Sequence, residues 1–227
     1  MNESYRAATG RDYIGSMDVD VGFRVDTTWS GGELRASVFG SFLRRMRDMG
    51  FQSQSFRLYR DFDHESLRPL SPEEADAKSA FDIVKLYVDP VVDRIHPLMS
   101  EIFGFTPIDE PLLETAFSGD LFKTHSIGGI EVKVVAPHLL LATKLNSAMI
   151  RLHSHKRLKD IADIYALIWH SGLSLEEMRD LLQNVYPDEK TEAVIGGVKE
   201  EEIREVSSVL GVEPIEIRRV LRAFSKP

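Results

Sequence analysis

The chain has no cysteine among its 227 residues. Disulfide bridges and thiolate-held metals are therefore excluded, and a cytoplasmic protein is expected. No apolar run is long enough to cross a bilayer. The opening residues Met1-Asn2-Glu3-Ser4-Tyr5-Arg6 are too polar to read as a secretion signal, so no membrane association is expected. Positive charge is scarce as well. The 28 Lys and Arg residues stand against 36 Asp and Glu, for a formal net charge of −8. That sign excludes bulk attraction to nucleic acid, and duplex DNA is not an expected partner; contact with RNA or DNA would need a local basic patch. There is no internal repeat and no low-complexity tract.

What is present is ordinary for a soluble globular chain, with 43% hydrophobic and 28% charged residues. The length allows one domain, or one domain with a helical appendage. Residues 17–25 alternate as a strand does. Ser30 opens an amphipathic helix running to about Met49, with Leu34, Val38, Phe42, Leu43 and Met46 on one side and Gly50 closing it. Phe51 to Phe62 reads as a second strand, with Arg57 and Arg60 among its polar positions. The charged segment 63–77 reads as a hairpin or surface loop. Phe81 to Pro90 is the strongest strand signal, expected to end at the proline. Residues 95–114 suggest an irregular covering segment, and 121–135 a hairpin about Gly128-Gly129. From Pro137 the pattern is helical, with helices over 138–152, 157–170 and 174–185 and two or three short ones beyond. Strands first and helices later predict an α+β fold, with a core over residues 1–136 and a helical region over 137–227.

Period two puts Asp18, Asp20 and Gly22 on one strand face. Neighbouring carboxylates repel, and a divalent cation such as Mg²⁺, which prefers oxygen ligands, holds them together. A solvated strand face fits the same pattern. A third carboxylate from a neighbouring strand would serve a second metal and help deprotonate an acceptor hydroxyl. Asp82 and Asp89 are the candidates, read on opposite faces of the third strand; Asp89 is preferred because it lies at the strand end. Lys144 sits in an otherwise apolar helix with Arg151 two turns on, and a buried cation there asks for an anionic partner or a ligand phosphate. Lys144 snorkelling to the surface is the alternative. Asp160 and Asp163 share a face in the next helix, where acids also favour the helix dipole. The span Arg151 to Lys159 carries four fixed positive charges in nine residues and is the most basic spot in the chain. It suits triphosphate or an RNA backbone, or is a solvated loop. His153 and His155 have no third ligand to make a metal site. The C-terminal run about Val209-Leu210-Gly211 has helix-turn-helix spacing without a basic face, and reads as a packed helical hairpin.

Three blocks give the chain a family resemblance. Gly15-Ser16-Met17-Asp18-Val19-Asp20 has a small-x-D-x-D form. Pro137-His138-Leu139-Leu140-Leu141-Ala142-Thr143-Lys144-Leu145, through Arg151, forms a lysine-and-arginine helix. Lys159-Asp160-Ile161-Ala162-Asp163-Ile164-Tyr165-Ala166-Leu167 fits K-D-x-x-D-[LI]-Y-x-L. Together they resemble the AbiEii/AbiGii-type nucleotidyltransferases, whose members include toxins of toxin–antitoxin systems. The resemblance implies a polymerase-β-like fold and an Mg²⁺-dependent transfer from a nucleoside triphosphate to an acceptor, a tRNA end or a protein hydroxyl, with an antitoxin as partner. It assigns Asp18, Asp20 and, loosely, Asp89 to metal. It assigns Lys144 to the nucleotide phosphates and Asp160 to completing the site; Arg151, on the same face as Lys144, and Ser16, beside the D-x-D pair, are added as nucleotide-binding candidates. The family also carries an earlier strand ending in a Gly-Gly or Gly-Ser turn whose amides cradle the triphosphate. Only 17 residues precede Asp18. A start placed too late is the expectation, and an inactive truncated copy acting as a binding module is the alternative.

Overall fold

The computed structural model describes residues 2–14, 18–151 and 155–225. It divides into two compact units. One is Ser16–Ser118; the other is Gly119–Pro227 together with Met1–Gly15. The change from strand to helix periodicity puts the division at 136/137 instead. The unit of the helices also takes in α1 (Asn2–Thr9), which contacts the helix His155–His170, and a late hairpin.

The first unit is built on one sheet. Its strands are β1 (Asp18–Phe23), β2 (Gln52–Gln54), β3 (Arg57–Asp63), β4 (Ile83–Val92) and β5 (Ile108–Asp109). The order is β1-β4-β3-β2. β1 runs parallel to β4 and β3 antiparallel to it; β5 pairs with the last two residues of β4. Alternation along β4 sorts the side chains. Leu86, Val88 and Val92 join Val21 and Phe23 of β1 and Leu58 of β3 in the apolar core. Tyr87 and Asp89 take the other face, in register with Asp18 and Asp20. The core face is covered by α2 (Gly31–Ala36), α3 (Val38–Asp48) and α5 (Met99–Phe103), the last following a short α4 (Pro72–Asp76). Phe39 sits between Phe23 and Phe103, with edge-on ring centroids 5.3 and 5.2 Å away. Trp29 is half-buried against the same core. The unit closes with α6 (Leu112–Ser118).

Three local expectations are corrected. The single helix expected from Ser30 to Met49 is two. Ser37, at φ −61° and ψ 168°, ends α2 and caps α3; its hydroxyl accepts from the Gly40 amide at 3.1 Å and donates to the Leu34 carbonyl at 2.7 Å. The second strand is a hairpin, broken at Ser55-Phe56, with Ser55 at φ 55°. The third strand does not stop at Pro90 but runs on to Val92. Pro90 lies where β3, last paired at Leu58–Val88, has ended and β5, first paired at Val91, has not begun, so its missing N–H costs little on that side.

In the second unit β6 (Phe122–Ile127) and β7 (Ile130–Val135) form the expected hairpin. Gly128 and Gly129 both have positive φ, 58° and 82°, as a tight two-residue turn requires. Helices follow: α7 (Pro137–Ile150), α8 (His155–His170), α9 (Leu175–Gln183), α10 (Asp188–Gly196), α11 (Glu200–Leu210) and α12 (Pro214–Ser225). α8 is the axis, buried from Asp160 through Ile168. Arg157 reaches Glu202 of α11 at 2.6 Å, and the Tyr165 hydroxyl donates to Glu216 of α12 at 3.1 Å. α1 is tied in by the Tyr5 hydroxyl, which donates to the Leu210 carbonyl at 2.5 Å. α11 and α12 pack through Val206, Leu210, Ile217, Val220 and Leu221, which makes them the packed hairpin expected from their charge. Trp169, 40% exposed, lies against Arg219.

Two stability outcomes follow. A Cβ on Gly40 would meet the Arg35 carbonyl oxygen at 2.4 Å, and backbone cannot step aside. Gly40→Ala is expected to cost about 2 kcal/mol or more in urea unfolding. His138 and His170 are buried, and burial lowers both below the ordinary value of 6.5. The unfolded chain then takes up protons first, so stability present above pH 6.5 is lost as pH falls through that value towards the folded ones. The thermal midpoint should drop between about pH 7 and pH 5, and less so in His170→Gln.

Candidate functional site

The polar face of the first unit's sheet carries a row of charges. Asp20 stands opposite Asp89, and Asp18 opposite Tyr87. Asp82 lies outside β4, in a short 3₁₀ turn over Ala80–Asp82, so Asp89 is the acid beside the Asp18/Asp20 pair. Asp89 is 3% exposed, and Asp20 is open to solvent. A buried carboxylate needs a cation, and Arg57 supplies it. Its Nε and Nη2 donate to the two Asp89 oxygens at 3.0 and 2.5 Å, the fork-to-fork geometry that suits a guanidinium. Nη2 also lies 3.5 Å from Asp18 Oδ2. Hydrogen bonding to Asp89 raises the Arg57 pKa against its partial burial. The guanidinium rests over the Tyr87 ring, 4.6 Å from its centroid. Further along, Lys85 pairs with Asp61 at 2.7 Å and lies over Tyr59.

The second unit holds a separate cluster. Arg151 Nη1 meets Asp160 Oδ2 at 2.7 Å, and Lys144 Nζ meets Asp163 Oδ2 at 2.6 Å. The other carboxylate oxygen of Asp160 is 4.0 Å from Lys144. Asp163 also accepts from the Tyr13 hydroxyl at 2.5 Å. Asp160 is 2% exposed; burial raises its pKa, while Arg151 and Lys144 pull it down. Burial, then the Asp163 charge, pushes the Tyr13 phenol far above its usual 10.0. Two cations and two buried acids thus form a balanced network on α7 and α8. Lys144 makes its shorter contact with Asp163, and Asp160 pairs chiefly with Arg151.

The chain matches the family described as nucleotidyl transferase AbiEii toxin, type IV TA system, over residues 16–224. This chain belongs to the AbiEii family. The match runs from just before β1 to within α12, and the α+β architecture is of the nucleotidyltransferase type. No curated protein and no solved structure matches the chain.

For an AbiEii chain the sheet face is the natural place to test for a cation. Its donors are carboxylate oxygens on one face, which is the chemistry a hard divalent ion takes, although the Arg57 guanidinium already pairs with Asp89 and lies near Asp18. Among the described residues no three His, Asp or Glu side chains close around a single point. Ser16 and His153 lie outside the described residues, and His155 is an exposed residue at the start of α8. Three partners escaped the sequence pattern as site residues. Arg57 was visible only as a polar strand position. Asp163 was visible as a face-mate of Asp160. Tyr13, 150 residues from Asp163, left no local signal. Among the described residues no helix is long and apolar enough to cross a membrane.

Removing Arg151 would leave the Asp160 carboxylate buried with Lys144, at 4.0 Å, as its remaining cation among the described residues. Arg151→Ala is expected to cost about 3 kcal/mol in chemical unfolding. Adding Asp160→Asn should restore most of that loss, a coupling that a double-mutant cycle reads directly.

Proposed function

We propose that this chain is an Mg²⁺-dependent nucleotidyltransferase acting in the cytoplasm as the toxin of a toxin–antitoxin pair. It would move a nucleotide from a nucleoside triphosphate to a tRNA end or a protein hydroxyl. The observation that carries the reading is the register of Asp18, Asp20 and Asp89 on one sheet face of an AbiEii-family chain. Asp18 and Asp20 would hold a metal-bound nucleotide, with Asp89 serving a second ion and favouring loss of the acceptor hydroxyl's proton. A bound divalent cation would supply neutralisation of the triphosphate charge. Lys144 is assigned to the phosphates by family resemblance and Arg151 by sharing its helix face; Asp163 and Asp160 keep them in place. Ser16 is proposed at the nucleotide for its position next to the D-x-D pair alone.

The test is transfer of label from each of the four α-labelled nucleoside triphosphates to total tRNA, and to protein, with Mg²⁺ present. Asp18→Asn is expected to lower transfer by about two to three orders of magnitude with little change in unfolding midpoint. Transfer retained in that variant sinks the assignment. Nucleotide binding without transfer by the unmodified chain would favour a non-catalytic binding module of the same fold.

A further inference from the structure

Arg57 is placed where a metal-binding face should least want a fixed positive charge. It joins Asp89 of the adjacent β4 by two hydrogen bonds and reaches Asp18 of β1, one strand further on, at 3.5 Å, so one guanidinium answers acids from two strands. Its two holds are unequal. The Asp89 side chain is only 4% exposed and its bond is two-pronged; the Asp18 side chain is 35% exposed and its contact is long. The backbone around Arg57 is lightly held. It is the first residue of β3, paired with Gln54 of β2, and β3 joins the β4 ladder only from Leu58 onward. In the same position the guanidinium lies over the Tyr87 and Phe56 rings, 4.6 and 5.1 Å from their centroids.

We propose that Arg57 is a resident counter-cation that competes with the divalent ion for this carboxylate face, so that loading the ion requires it to give up Asp18. This rests on the metal-dependent reading above. With Arg57 in place, Asp89 is held and oriented in the absence of metal, and the guanidinium lies between it and Asp18. An arriving divalent ion brings twice the charge and takes Asp18 first, where the guanidinium holds least. Arg57 then keeps Asp89 and its place over the Tyr87 ring. It is a positioning residue. It tunes how tightly the face takes a cation before any nucleotide is present, and it limits capture of an ion without its nucleotide.

The experiment uses the full chain without nucleotide and follows Mn²⁺ binding by the loss of the free-ion electron paramagnetic resonance signal. Arg57→Gln should bind Mn²⁺ about tenfold more tightly than the unmodified chain. Its thermal midpoint should be lower without metal, and saturating Mn²⁺ should raise it by more than in the unmodified chain. A merely structural Arg57 would lower the midpoint with and without metal and leave the affinity unchanged. Unchanged or weaker Mn²⁺ binding by a folded Arg57→Gln overturns the proposal. If that variant does not fold, Arg57→Lys decides. It keeps the charge but loses the fork, so binding a few-fold tighter supports the proposal and unchanged binding overturns it. Asp18→Asn separates the two levels. If it abolishes Mn²⁺ binding while Arg57→Gln changes nothing, only the competition fails. If it leaves binding intact, the metal reading fails and the competition with it.

Discussion

A carboxylate almost wholly withdrawn from water has to be compensated, and in each unit the most deeply buried acid among the described residues is met by a cation. In the sheet unit it is Asp89, gripped by Arg57. In the helical unit it is Asp160, gripped by Arg151 with Lys144 nearby. Neither acid is a good choice for stability alone, since an apolar residue of similar volume would cost less to bury. Asp160 lies within one of the blocks that carry the family resemblance, and Asp89 stands in register with another, the Asp18/Asp20 pair of β1, which connects the packing with the chemistry.

The sheet shows how a single alternation produces both. β4 is central, with β1 on one side and β3 on the other. Its even-numbered residues fill the core with those of α2, α3 and α5, and its odd-numbered residues turn Tyr87 and Asp89 to the opposite face. Because β1 is in register with it, the same alternation that buries Val21 and Phe23 aligns Asp18 and Asp20 with that face. A one-residue slip would put the acids into the core and the aromatics outside. The apolar core therefore fixes where the acids can be.

Much of this was legible because periodicity is local. The strand about Asp18, the strand through Asp89, the Gly128-Gly129 hairpin and the three long helices from Pro137 all show in residues that are neighbours in sequence. What was not legible depends on distance. Ser37 looks like the polar side of one long helix, and only the close approach of the Arg35 carbonyl to Gly40 reveals the break. Pro90 looks like a strand end until the gap between two partner strands is seen. In the candidate site, the common face of Asp18 and Asp20 could be read from spacing. The pairing of Arg57 with Asp89 depends on a strand 32 residues away, and that of Tyr13 with Asp163 on a segment 150 away.

The two tryptophans fall one to each unit. Trp29 lies half-buried against the sheet core, and Trp169 stands 40% exposed on α8 beside the Arg219 guanidinium. Each is thus a built-in optical reporter for its own unit, with a distinct emission colour set by its contact with water. A chain keeping only one indole would reveal whether the sheet and the helices melt together or in sequence, with no foreign dye attached.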